Sequence, residues 1–157
     1  MQPSIEAIQD VFFCGMREGW AFGYEPAQKG PEQFYRYVTG SWELIDGYEA
    51  GLPDHYSVGQ TTIRYCGVPV WVMHYFGYYH PAVIDCVKLA LRDCYVRNFF
   101  WGGRGPAKFT HLGLTYLNHV SLAALEFQRF SGQEEVLHPH GFQLGFHCYH
   151  GGVLFAH

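Results

Sequence analysis

The sequence predicts an α+β domain of two αβββ repeats, forming a pseudo-symmetric antiparallel sheet of about six strands with two helices on one face. The main observation is an internal repeat, because residues 59–77 and 132–151 share a Gly-Gln start, a central Gly and a closing Tyr-x-Gly. Alternating apolar residues within both copies predict strands, and each half begins with an amphipathic helical pattern. The chain of 157 residues is therefore expected to be one domain with an internal duplication, at about 1–79 and 80–157.

Each predicted helix has a start signal and one apolar face. The first begins after Pro3-Ser4, with Ser4 as N-cap, and runs for three to four turns. The second begins at Pro81, a favourable first helical position for proline, and continues to about Val96. The residues expected to be buried are Ile5, Ile8, Phe12 and Met16 in the first helix, and Ile84, Val87, Leu91 and Cys94 or Tyr95 in the second.

A long strand and a hairpin are predicted after each helix. In the first half the long strand covers about 34–48, with a bulge or a turn expected near Gly40. The hairpin then turns at Cys66-Gly67, between strands at 60–65 and 69–76. In the second half a strand at about 114–130 leads into the second hairpin. Short connections of this kind predict an antiparallel sheet with both helices on one face.

The last strand of each half presents two different apolar faces. One is mainly aliphatic and suits packing beneath the helices, although the sequence does not decide which face the helices cover, since both faces are apolar; its members are Val68, Val70, Val72, Phe76, Phe142, Leu144, Phe146 and His150. The other is aromatic with polar tips, and its main members are Trp71, Met73, Tyr75, His147 and Tyr149. This second face needs a cover, for which the sequence leaves open a partner subunit, the loop 98–108 or a ligand.

Composition excludes several classes of function. The net charge is −4 and the ten Lys and Arg residues are scattered, so direct nucleic-acid binding is not expected. No apolar stretch is long enough to span a membrane, and the acidic N-terminus does not resemble a secretory signal. Five cysteines without a Cys-x-x-Cys pair indicate reduced thiols and a cytoplasmic location. An aromatic content of 18% predicts buried aromatic surface beyond the core, in a homodimer interface or a ligand cavity.

The histidines do not form a convincing metal-binding pattern. His138, His140 and His150 are the weak candidates, but His138-Pro139-His140 lies at a hairpin tip and no carboxylate has a spacing that completes a site. No metal site is predicted, and the sequence identifies no cofactor.

Three other charged residues are candidates for chemistry. Arg104, within Gly102-Gly103-Arg104-Gly105-Pro106, is expected either to close over an anionic ligand or to be a surface arginine that caps helix-two carbonyls or pairs with an acid. Asp46 and Glu126 lie among apolar residues of the two long strands. They are expected either to be buried, where a carboxylate acquires a raised pKa and can act as acid or base, or to lie on a solvated strand edge, which the sequence alone favours.

The chain resembles a small bacterial domain family of unknown function. The resemblance depends on the Pro69-Val70-Trp71-x-Met73-x-Tyr75-x-Gly77 run, Arg104-Gly105-Pro106 and the closing Tyr149-His150-Gly151-Gly152, and it covers about 34–154. Members occur alone or behind helix-turn-helix regulator domains. The resemblance implies a sensing or dimerising module and supplies no catalytic residues.

Three hypotheses of function follow from these observations. The first is a small-molecule-binding or sensing module that uses Asp46, Trp71, Met73, Tyr75, Arg104, His147 and Tyr149. The second is a dimerisation or structural module in which the aromatic face is buried against another copy. The third is an enzyme that uses a buried carboxylate, Asp46 or Glu126, or a histidine for proton transfer.

Overall fold

One antiparallel sheet dominates the fold. The structure is a computed structural model, which describes residues 2–21 and 25–155. Within these residues it has nine strands in the order β1-β2-β3-β4-β5-β9-β8-β7-β6. Their bounds are β1 Ala27–Lys29, β2 Glu32–Thr39, β3 Trp42–Glu49, β4 Tyr56–Tyr65, β5 Val68–Tyr79, β6 Lys108–His111, β7 Leu114–Glu126, β8 Arg129–Leu137 and β9 Gln143–Val153. The predicted α+β class and antiparallel sheet are confirmed.

The expectation of about six strands is wrong, because turns divide or extend the predicted segments. The stretch 34–48 is two strands, since the chain reverses at Gly40, whose φ of 56° favours glycine. The stretch 114–130 also reverses, between Glu126 and Arg129. The short strands β1 and β6 then add an edge at each side of the sheet.

Two helices begin where the sequence predicts. Helix α1 covers Ile5–Met16, and the Ser4 side chain accepts a hydrogen bond from the backbone N–H of Ala7. A π-helical turn, Arg17–Ala21, continues it. Helix α2 covers Ile84–Val96, after a 3₁₀ turn at Pro81–Val83, and a further 3₁₀ turn covers Pro53–His55. Both helices bury most of the predicted apolar stripe, while Ile5 and Ile84 are half-buried.

The helices cover the aromatic face of the sheet, which answers the question that the sequence left open. The Phe12 ring of α1 lies 5.2 Å from the Trp71 ring of β5 and 5.9 Å from the Tyr95 ring of α2. Trp71 and Met73 are fully buried, whereas Val68 and Phe76 are 62% and 52% exposed. Because both faces are apolar in the sequence, alternation alone does not distinguish them. The larger aromatic side chains occupy the side where two helices can bury more of their area.

A glycine lies beside the central tyrosine in each half of the sheet. Tyr75 and Tyr149 are directly opposite each other in the β5–β9 pair at the middle of the sheet. A Cβ on Gly59 would lie 2.4 Å from the Tyr75 ring, and a Cβ on Gly132 would lie 2.3 Å from the Tyr149 hydroxyl. The glycines thus provide the space in which the rings lie along the sheet surface.

Among residues 2–21 and 25–155, no helix has both the length and the apolar composition required to cross a membrane. All five cysteines are free thiols, in agreement with the predicted reduced state.

Candidate functional site

A cavity of about 260 Å³ lies between α2 and the first half of the sheet. Most of its wall is aliphatic or aromatic, and its polar residues come from β2, β4, β9, α2 and the loop before β6. The lining residues are Trp20, Gln33, Tyr48, Ala50, Ser57, Tyr75, Tyr79, Ile84, Val87, Lys88, Leu91, Arg104 and His147. An apolar concave site with a few polar groups is typical of small-molecule pockets.

Ser57 and His147 form one polar element of the wall. Ser57 Oγ lies 3.0 Å from His147 Nε2, although the two residues are 90 positions apart in the chain. His147 Nδ1 is buried, has no hydrogen-bond partner and lies 3.9 Å from Glu134 Oε1. Burial, and then the neighbouring Arg104 cation, lower the pKa of His147 to about 4, so the imidazole is neutral at neutral pH.

A buried ion pair lies behind this element. Arg104 donates to Glu134 Oε1 from Nε at 3.1 Å and from Nη2 at 2.5 Å. The Tyr79 and Tyr116 hydroxyls also donate to Glu134. Burial alone would raise the pKa of Glu134, but the Arg104 cation and the hydrogen bonds from Arg104 and Tyr116 together outweigh it, and the net shift is downward. Both carboxylate oxygens are therefore hydrogen-bonded and the charge is balanced locally.

Asp46 belongs to a second buried polar cluster next to the cavity. Its carboxylate accepts hydrogen bonds from Trp20 Nε1 at 2.8 Å, Thr61 Oγ1 at 2.6 Å and the Tyr75 hydroxyl at 3.0 Å. Burial raises the pKa of Asp46, and these three donors oppose that shift. Two of the donors, Trp20 and Tyr75, line the cavity. Asp46 therefore fixes the position of the aromatic wall of the cavity.

The structure brings together some of the site residues predicted from sequence and separates others. Tyr75, Arg104 and His147 line the cavity, and Asp46 lies directly behind its wall. The other three predicted residues, Trp71, Met73 and Tyr149, are core side chains that do not line this cavity.

Arg104 is not on the surface. The loop 98–107 packs into the protein, and a Cβ on Gly102 would lie 2.6 Å from the Tyr149 hydroxyl. Arg104 pairs with an acid, as one of the expectations proposed. However, both Arg104 and its partner Glu134 are buried, whereas a surface position was expected. Because Arg104 also lines the cavity, its contact with an anionic ligand stays a prediction.

The histidine candidates for a metal site are dispersed. His138 and His140 contact each other at the hairpin tip, with ring centroids 5.0 Å apart, while His150 lies beside His74 on the open face. In the described part of the chain, no three His, Cys, Asp or Glu side chains converge as a metal site. Glu126, proposed above as a proton-transfer group, is exposed at the end of β7.

Sequence reasoning missed Glu134, Ser57 and Tyr79. A signal existed for Glu134, because alternation along β8 places it on the same face as the buried Phe130 and Val136. A carboxylate on an apolar face requires a partner, and Arg104 is an available cation. Ser57 gave no signal, since its contact with His147 depends on the pairing of β5 with β9.

Comparison of the chain with protein-family models, with curated proteins and with solved structures found no match in any of the three.

Proposed function

We propose that the protein is a small-molecule-binding or sensing module whose site is the cavity beside α2. The observation that supports this most is the enclosure of aromatic walls and a few fixed polar groups in one concave site. The hydrogen bonds of Asp46 and Glu134 hold several of the lining residues in place before any ligand arrives, which reduces the entropic cost of binding.

The difference between the two halves of the sheet also supports a ligand site. Over Tyr149, the chain's own loop 98–107 occupies the space, with Gly102 against the ring. Over Tyr75, the corresponding space is the cavity. We infer that the halves arose by duplication, since Tyr75 bonds to Asp46 while Tyr149 bonds to Asn118 Oδ1 at 2.6 Å in the same relative place. In that case a ligand in the first half takes the place that the loop takes in the second.

The cavity favours a compact ligand with an apolar or aromatic body. Its volume of about 260 Å³ is near the lower limit for ligand pockets. The polar end of such a ligand would face Ser57, His147 and Arg104, and Lys88 on α2 is exposed at the margin.

A fragment screen by ligand-observed NMR tests the proposal. Ala50 is an exposed lining residue, so Ala50→Trp fills the opening with little effect on the core. Ala107 is exposed and lies outside the lining, so Ala107→Trp is the matched control. We expect fragments that bind the wild type and Ala107→Trp but not Ala50→Trp. Binding that is equal in all three proteins would contradict the proposed site.

A dimerisation module is the second candidate, and the open face of the sheet favours it. Phe76 and Val58 are neighbours there and are 52% and 47% exposed. The aromatic face is not available for this role, because Trp71 is buried within its own chain. A homodimer predicts that Phe76→Ser gives monomers in sedimentation velocity, whereas Leu112→Ser, at an exposed hairpin, does not. Monomeric wild-type protein at micromolar concentration would contradict it.

The resemblance to a bacterial family of regulator-associated domains and the cytoplasmic location stay predictions. Both agree with a sensing module, because such a module would detect a small intracellular molecule.

A further inference from the structure

Ser57 and His147 meet across a glycine that separates their strands. Ser57 of β4 is opposite Gly77 of β5, and Gly77 is in turn opposite His147 of β9. A Cβ on Gly77 would lie 2.5 Å from His147 Cδ2 and 1.9 Å from the Phe146 carbonyl oxygen. Only glycine at this position lets the imidazole lie across β5 and reach the Ser57 hydroxyl.

The surroundings of His147 determine which ring nitrogen holds the proton. Nδ1 faces Glu134 Oε1 at 3.9 Å, and Glu134 is ionised next to Arg104. A lone pair on Nδ1 would be repelled by the carboxylate, whereas an N–H is attracted to it. The proton is therefore on Nδ1, and Nε2 accepts a hydrogen bond from the Ser57 hydroxyl.

This arrangement of a hydroxyl, an imidazole and a carboxylate is the one that activates a serine as a nucleophile. A hydroxyl donates to Nε2 of a neutral histidine, and the histidine presents its Nδ1–H to a buried carboxylate. The Nδ1 to carboxylate distance is longer than a hydrogen bond, as is common before substrate binds. Ser57, His147 and Arg104 all line the cavity, so a small molecule there has access to the hydroxyl.

We propose that Ser57 is a nucleophile that accepts an acyl group from small carboxylic esters bound in the cavity. His147 is its general base, and Glu134 is a positioning residue that holds the imidazole. This inference relies on the proposed function for the location of the substrate and adds a reaction to it.

The reaction has two balanced steps. Ser57 Oγ attacks the ester carbonyl carbon while its proton moves to His147 Nε2; the bond from that carbon to the alkoxy oxygen then breaks, and the leaving oxygen takes the proton. Water, deprotonated by the same nitrogen, hydrolyses the acyl-serine to the carboxylic acid and restores the hydroxyl. Turnover is slow, because burial, and then the Arg104 cation, disfavour the imidazolium that each step requires.

Covalent labelling of the purified chain tests the proposal directly. Treatment with p-nitrophenyl acetate, and separately with a fluorophosphonate, is followed by intact mass and peptide mapping. We expect one adduct per chain, on Ser57, that is absent from Ser57→Ala. Ser131 is a half-buried serine of β8 outside the cavity lining, so Ser131→Ala should be labelled like the wild type. His147→Gln should slow labelling at least about 100-fold. Absence of an adduct, or modification only at other residues such as Lys88, would overturn the inference.

A second measurement needs no variant. The ¹⁵N shifts of the His147 ring report its tautomer, and we expect a protonated Nδ1 and an unprotonated Nε2. The opposite tautomer would overturn the inference. Fragment binding without labelling of Ser57 would reject the acyl-transfer step alone, whereas fragments that ignore the Ala50→Trp block would reject the proposed ligand site.

Discussion

At the scale of single residues, Glu134 is held by several partners at once. It is fully buried, and it accepts hydrogen bonds from Arg104, Tyr79 and Tyr116. A buried ion pair is stable only when both charges keep all their partners, so loss of one partner leaves an uncompensated charge. Because Arg104 and Tyr79 also line the cavity, the same pair sets the geometry of the site.

Removal of the Arg104 charge should therefore destabilise the fold strongly. We expect Arg104→Met to lower the free energy of unfolding by about 3–5 kcal/mol, since Glu134 is left buried and unpaired. Arg36 pairs with Glu43 on the surface at 2.6 Å, and Arg36→Met is the control, with an expected loss below about 1 kcal/mol. Urea denaturation measures both, and equal losses would contradict the central role of the buried pair.

His147 should make stability depend on pH in a defined window. Its pKa is about 4 in the folded protein against 6.5 for an ordinary histidine, so the unfolded chain binds more protons between these values. The full stability is present above pH 6.5, and about 3 kcal/mol is lost as the pH falls to 4.

The variant His147→Gln should show a weaker dependence over this window. The exposed histidine variant His119→Gln should behave like the wild type, because the His119 side chain lies on the surface, where it contacts Glu135. Chemical denaturation at a series of pH values measures this, and identical profiles for wild type and His147→Gln would show that the imidazole is not buried in neutral form.

At this scale the sequence identified part of the site. Tyr75 and His147 were predicted because alternation along the last strand of each half places them on its aromatic face, and Arg104 because it lies in a Gly-rich loop. Glu134 and Ser57 were not predicted, because each matters only through a distant partner. Arg104 is 30 positions from Glu134 and His147 is 90 positions from Ser57, and only the fold brings them together.

At the scale of elements, a glycine and a tyrosine pack together in the same way on both sides of the β5–β9 pair. In each half the glycine allows the ring to lie flat, and the hydroxyl then reaches a polar residue two strands away, Asp46 in the first half. We expect Gly59→Ala to cost about 1–3 kcal/mol, because its Cβ would overlap the Tyr75 ring.

Gly47 provides the matched control for this substitution. It lies on the neighbouring strand β3, and the nearest atom to an added Cβ is 3.8 Å away, so Gly47→Ala should be close to neutral. Thermal unfolding of both variants measures the difference. A neutral Gly59→Ala would mean that Tyr75 is not held against the strand.

The elements themselves were predictable to different extents. Both helices could be predicted, because capping residues and a 3.6-residue period are local signals. The number of strands was not, because the reversals at Gly40 and near Phe127 look like irregular positions within longer strands. The face covered by the helices was also not predictable, since both faces of β5 are apolar.

At the scale of the whole molecule, Trp71 joins the layers. Its ring stacks on Phe127 and Phe130, contacts Phe12 of α1, and donates from Nε1 to the Phe127 carbonyl at 3.1 Å. We expect Trp71→Ala to lower the free energy of unfolding by about 3–5 kcal/mol without changing the oligomeric state. Denaturation combined with sedimentation measures both properties. A change of assembly in a fully folded variant would instead place Trp71 at an interface.

The proposed function depends on a small molecule that occupies the cavity beside α2. Native mass spectrometry of the purified wild type, Ala50→Trp and Ala107→Trp, before and after mild denaturation, tests this most directly. We predict an additional small mass on the wild type and on Ala107→Trp, released on denaturation and absent from Ala50→Trp. Bare protein in all three samples, or an equal added mass on Ala50→Trp, would contradict the claim that this cavity binds a small molecule.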